Sequence, residues 1–177
     1  VGDPAQSAWT GDPAELAQAR DQALGRRSRQ EFTLSTNYRN PAEIFEVAAE
    51  VIRELDPDLP LPRAVRTTGV APVRREVPAA ELPAAVRAAV TAMLGEVEGT
   101  VGVITPVARR AEFEALLAGL TDPRLQVVDS LQAKGMEYDG VVLVAPSEVR
   151  AVPDSGVRTL YVALSRATQR LTTVDIG

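Results

Sequence analysis

From Thr100 to the end of the chain, short valine-rich runs alternate with longer segments whose apolar residues recur at helical spacing. TVGVITP, LQVVDS, YDGVVLVAP and RLTTVDI read as strands, and VARRAEFEALLAGL and GVRTLYVALSRA as helices. A strand with no polar face is buried on both sides, and successive parallel strands need a crossover, usually a helix. The pattern therefore predicts an α/β domain, a mostly parallel sheet with helices on both faces. Ligands of such sheets bind outside the carboxyl ends of the strands, so the polar residues in loops after strand candidates are expected there.

The upstream half is less regular. VRREV reads as a short strand and AAELPAAVRAAVTAMLGEV as a helix. EFTLS is a strand candidate, followed by a helix in TNYRNPAEIFEVAAEVIREL with Asn40 as its cap and Pro41 at its start. Ile44, Val47, Ala48, Val51 and Leu55 of that segment recur at helical spacing. Residues 56–72, with Pro57, Pro60, Pro62 and Pro72, read as an extended surface connection. Near the start, Asp12 and Pro13 open a further helix candidate.

Composition narrows the chemistry. The chain has 177 residues and a formal net charge of -5, which disfavours a freestanding nucleic-acid binder and makes any such contact local. It contains no cysteine and no histidine, which removes thiol nucleophiles, imidazole bases and the usual zinc ligands, and no metal-ligating set is expected. The sole lysine, Lys134, sits in AKGM, so a Gly-Lys-Ser/Thr phosphate loop is absent from this chain. No apolar run reaches the roughly 18 residues of a membrane span, and a soluble, cytoplasmic protein is expected. The opening on Val1 and a Gly-Asp turn suggests a piece of something longer.

Polar and aromatic residues gather in four clusters: VGDPAQSAW, STNYRNP, LQAKGMEYDGVVLV and LYVALSRAT. Each alone has an ordinary structural explanation, such as a turn, a helix start, a loop or a cation at a helix terminus. Together and in this order they resemble the later motifs of the UvrD/Rep-like superfamily 1 helicases. GDPAQSAW resembles the Gly-Asp-x-x-Gln-Ser motif that closes the first RecA-like domain, and NYRNPAEI the Asn-Tyr-Arg segment that starts the second. AKGMEYDGVVL is similar to the Ala-Lys-Gly-Leu-Glu-Phe motif, and LYVALSRA to the Tyr-Val-Ala-Leu-Thr-Arg-Ala motif.

The resemblance implies a RecA-like, P-loop NTPase-type fold without its own Walker A. Residues 1–30 would be the tail of the first RecA-like domain with its linker, and residues 31–177 the second domain. It implies an ATP site with Mg2+, completed only by the N-terminal RecA-like domain. There Arg39 and Arg166 would act as arginine fingers on the γ-phosphate and Gln6 would sense it. Tyr38 would stack on adenine, and Glu137 would accept hydrogen bonds from the ribose after the tight turn that Gly135 permits. Lys134 belongs to the same group of nucleotide contacts. Trp9 and Ser130 would contact single-stranded nucleic acid.

The resemblance leaves the working partner open. DNA-translocating members carry a histidine where this chain has Leu131, and the wording NYRNPAEIFEVAAEVI is closer to the HelD-like branch, whose partner is RNA polymerase. The alternatives are therefore a DNA helicase or translocase, a HelD-type ATPase that acts on transcription complexes, and a catalytically inert interaction domain. The isolated chain is expected to lack ATPase activity.

Overall fold

The computed structural model describes residues 35–177, together with Gln18 and Gln22. The helix candidate after Asp12, most of the EFTLS strand candidate, and Gln6 and Trp9 lie outside these residues. The order is β1 (Thr36–Pro41), α1 (Ala42–Arg53), β2 (Arg63–Arg66), β3 (Val73–Val77), α2 (Leu82–Glu96), β4 (Val101–Thr105), α3 (Arg110–Leu117), β5 (Leu125–Asp129), β6 (Tyr138–Val144), α4 (Pro146–Arg150), α5 (Gly156–Leu164) and β7 (Ala167–Ile176). Short 3₁₀ turns at Ala79–Glu81 and Val107–Arg109 lead into α2 and α3.

Five strands form one sheet in the order β3-β7-β6-β4-β5, and all of its neighbours run parallel. The expected parallel α/β architecture is therefore present. From β4 to β5 the chain moves toward one edge of the sheet, and from β6 to β7 it moves toward the other. Right-handed crossovers then require the intervening helices to lie on opposite faces. The core divides accordingly: Ile44, Ala48 and Ile52 of α1 and Leu160 to Leu164 of α5 pack with Val141, Leu143 and Leu171 on one face. Val86, Val90 and Met93 of α2 and Phe113 and Leu117 of α3 pack with Val101, Val103, Val142 and Val144 on the other. Alternate residues of β6 thus feed both cores, and each fully buried valine contributes about 1.5–3 kcal/mol.

The β5–β6 connection carries no helix. It crosses the α1/α5 face as a chain of turns, with Ala133 fully buried and Met136 packed against the core. The ring of Tyr138 then lies over Gly102, where a Cβ would come within 2.5 Å of it. Only glycine gives the ring that space.

The upstream half departs from its sequence reading. Residues 36–41, which include the expected cap Asn40 and the expected first helical residue Pro41, form strand β1, which pairs in parallel with β2 inside the proline-rich connection. The helix begins one residue later than expected, at Ala42, and no side chain caps it. Asn40 does not cap because its amide is drawn to the carbonyls of Ser165 and Ala167 instead. At the other end Leu55 is 45% exposed, since α1 stops at Arg53. Helix α4 has no counterpart in the sequence pattern; it follows Ala145, which takes a left-handed conformation at φ 44 without being glycine.

Candidate nucleotide site

Strand β1 is built by side-chain bonds as much as by its ladder. Asn37 Oδ1 accepts from the backbone N–H of Arg39 at 2.9 Å and of Asn40 at 3.2 Å, an Asx turn that bends the strand where its register with β2 shifts. Arg66 of β2 donates to Arg39 O at 2.8 Å, Tyr38 O at 3.4 Å and Thr168 O at 3.3 Å. These bonds hold the Tyr38-Arg39 segment against the start of β7. Tyr38 is 70% exposed there, an aromatic face offered to solvent.

Glu137 arrives from the other direction. The turn before β6 closes through Ala133 N–H to Asp129 O at 3.0 Å and Met136 N–H to Ala133 O at 3.1 Å. Gly135 takes φ 86, which side chains rarely adopt. Glu137 emerges just before β6 and forms an ion pair with Arg39, both side chains about half exposed. Lys134 is exposed in the same turn.

Arg166 lies beneath them. It is 1% exposed at the end of α5, and its guanidinium donates to Val162 O at 2.9 Å, Ser165 Oγ at 2.9 Å and Met136 O at 3.3 Å. Its own carbonyl accepts from Tyr138 N–H at 3.0 Å, the residue after Glu137. Arg39, Glu137 and Arg166 therefore come from separate segments and meet at one place. In this structure the guanidinium of Arg166 points into the domain and is held by its acceptors.

The cluster lies on the side of the sheet opposite to the one expected. Tyr138 pairs with Ala167 at the starts of β6 and β7, so Glu137 and Arg166 sit at the amino ends of these strands. Strand direction decides the edge, and the loop after β5 crosses the whole sheet before Glu137 is reached. Ser130 is the exception: it follows β5 at the carboxyl edge, buried, with its N–H on Thr105 O at 2.9 Å. It is separated from Glu137 by the sheet's length, about 15 Å for strands of this size. Leu131 beside it is 56% exposed.

Sequence reasoning missed the bonds that hold the cluster together, made by Asn37, Asn40 and Arg66, and the anchoring of the loop after β2 by Glu43. The carboxylate of Glu43 accepts from Gly69 N–H at 2.7 Å and Thr68 N–H at 3.2 Å, pinning the loop after β2. Its own backbone N–H is the main cause that holds this carboxyl below the usual glutamate range; burial opposes it, and the N–H groups of Gly69 and Thr68 add smaller lowering contributions. No spacing signals such partners, because they are met only in the folded chain. A shallow groove of about 220 Å³ between α3 and β5, lined by Leu117, Leu125 and Val127 among others, shares no residue with the cluster. Among the described residues no group of acids could hold a metal ion, and no helix is long and apolar enough to cross a membrane.

Residues 126–174 match the UvrD-like helicase C-terminal domain family. The matched segment runs from β5 into β7 and contains Ser130, Lys134, Gly135, Glu137 and Arg166. Among solved structures, the C-terminal domain of a possible DNA helicase from Lactobacillus plantarum WCFS1 is similar, with 24% identity and a TM-score of 0.57, covering 80% of this chain and 88% of that one. At that identity the likeness is one of fold. No curated protein matches the chain.

Proposed function

We propose that this chain is the C-terminal motor domain of an ATP-dependent superfamily 1 DNA helicase or translocase, and that it supplies one half of a nucleotide site. The observation that carries the reading is the convergence of three separate segments, carrying Tyr38 with Arg39, Glu137 and Arg166, at the amino ends of β6 and β7. The match of residues 126–174 to UvrD-like helicases supports it independently.

The residues fit part of a nucleotide. ATP would supply the phosphoanhydride bond to be hydrolysed and Mg2+ the neutralising charge. The exposed ring of Tyr38 offers a stacking face, and Glu137 can accept from a hydroxyl. Arg39 presents a guanidinium at the surface, whose planar fork meets phosphate oxygens better than an ammonium. Charge that develops in phosphoryl transfer is stabilised by such groups. The described residues hold no cluster of three or more acids for a metal ion, and the chain has no phosphate loop. A first RecA-like domain would supply both. A site shared in this way closes when occupied and opens when emptied, which turns hydrolysis into domain movement.

The test is steady-state ATP turnover by the polypeptide that carries both halves, with single-stranded DNA or RNA polymerase added. Stimulation by DNA supports the proposal. Stimulation by polymerase alone replaces DNA with a protein partner, the outcome that exposed Leu131 would favour. Absence of turnover under every condition rejects the nucleotide site.

A further inference from the structure

Asn40 is the buried link between the segments that carry Arg39 and Arg166. It is 3% exposed. Its Nδ2 donates to Ser165 O at 2.8 Å and to Ala167 O at 2.7 Å, the carbonyls on either side of Arg166. Its Oδ1 accepts from Asn37 Nδ2 at 3.1 Å. That contact fixes which way the amide points, because a flipped Asn40 would set its oxygen against two carbonyl oxygens. Asn37 is oriented in turn by the N–H groups of Arg39 and Asn40 on its own oxygen. The network is therefore a continuous chain of bonds from the backbone of Arg39 to both flanks of Arg166. Arg66 grips the same pair of segments from the exposed side, through Arg39 O and Thr168 O.

We propose that Asn40 is a positioning residue for the proposed ATP hydrolysis: by bridging the carbonyls that flank Arg166, it sets Arg39 and Arg166 in fixed register. The inference rests on the nucleotide reading above. Asn40 carries no charge and leads away from the exposed edge, so it acts through the arginines and touches no substrate. Two cations that serve one phosphate must keep their spacing, and a misplacement of about 1 Å costs about 10²-fold in rate. A buried amide with both hydrogens engaged holds such a spacing more firmly than an exposed ion pair, whose geometry solvent can replace.

The experiment uses the polypeptide that carries both halves of the site, with Asn40→Asp, Asn40→Ser, Arg66→Met and Arg39→Ala, singly and with Arg39→Ala combined with each of the others. Asn40→Asp puts an oxygen against the two carbonyls, and kcat is expected to fall about 10²-fold while the KM for ATP changes far less. Added to Arg39→Ala, it is expected to lower kcat little further, since both act on the same group. Arg66 is exposed, so Arg66→Met leaves the core intact. It gives a smaller fall of the same kind, and it decides the question if the Asn40 variants do not fold. Losses that multiply independently with Arg39→Ala, or a folded Asn40→Asp with normal kcat, overturn the role. No turnover in the unsubstituted polypeptide rejects the nucleotide reading and this role with it. Normal turnover there with independent losses rejects the role alone.

Discussion

Arg39 of β1 and Glu137 of the turn before β6 meet as an ion pair at the amino edge of the sheet, each about half exposed. A pair so open to water adds little to folding, at most about 1 kcal/mol. Glu137→Gln is therefore expected to leave the unfolding midpoint nearly unchanged. On the proposed function it weakens nucleotide binding, because the carboxylate that accepts from a hydroxyl is lost. Thermal unfolding and ATP titration of the same variant check both halves. A large loss of stability would show that the pair is structural.

Arg166 presents the opposite balance. Its guanidinium is buried and bonded to Val162 O, Ser165 Oγ and Met136 O. Arg166→Ala removes three donated bonds from the interior, although Val162 O keeps another side-chain donor, the Ser165 hydroxyl at 2.9 Å, and a loss of about 1–3 kcal/mol in stability is expected. In the polypeptide with both halves of the site, turnover is expected to fall by about 10³ to 10⁵, as for arginine fingers elsewhere. Arg166→Lys separates the two effects, since it keeps charge but loses the fork. Stability with near-normal turnover in Arg166→Ala would exclude any direct part in the chemistry.

Glu43 gives the loop after β2 a dependence on pH. Backbone N–H groups, its own first, hold its carboxyl below the usual range. A folded-state pKa below the unfolded value means stability that is present above the unfolded pKa and is lost as pH falls through the folded one. Acidification should release Thr68 and Gly69, and Glu43→Gln should flatten that part of the profile. The amide shift of Gly69, bonded to the carboxylate at 2.7 Å, reports the titration. A midpoint at or above the ordinary glutamate value would contradict the assignment.

Most of the fold from Val73 onward is legible in the sequence because valine runs and helical periodicity there serve one purpose, burial. β1 is not legible. Asn37, Asn40 and Pro41 carry the signature of a helix start, and only the folded partners Ser165 O, Ala167 O and Arg66 turn them into a strand. Motif order singles out Arg39, Glu137 and Arg166, which meet in the candidate cluster, but the edge on which they meet is not legible. That edge follows from the pairing of Tyr138 with Ala167, a non-local contact no local pattern encodes. Helix α4 fails for a simpler reason: Ala145 adopts a conformation that sequence rules reserve for glycine or asparagine.

Thr159 offers a test of the packing beneath the site. Its hydroxyl is buried in α5 with no hydrogen-bond partner among the described residues. A buried hydroxyl without a partner costs about 1–3 kcal/mol on the scale of protein mutations. Valine keeps the branched shape and removes the polar atom. Thr159→Val is therefore expected to stabilise the domain by about 1 kcal/mol, raising the unfolding midpoint by roughly 2–4 °C for a chain of this size. Because Thr159 lies on the helix that leads to Arg166, the variant also asks whether a stiffer α5 slows the ATP turnover proposed above. A fall in stability would mean that the hydroxyl has a partner in solution. A rise in stability with lower turnover would place α5 among the parts that must move when the site opens, a cost often met where activity needs flexibility.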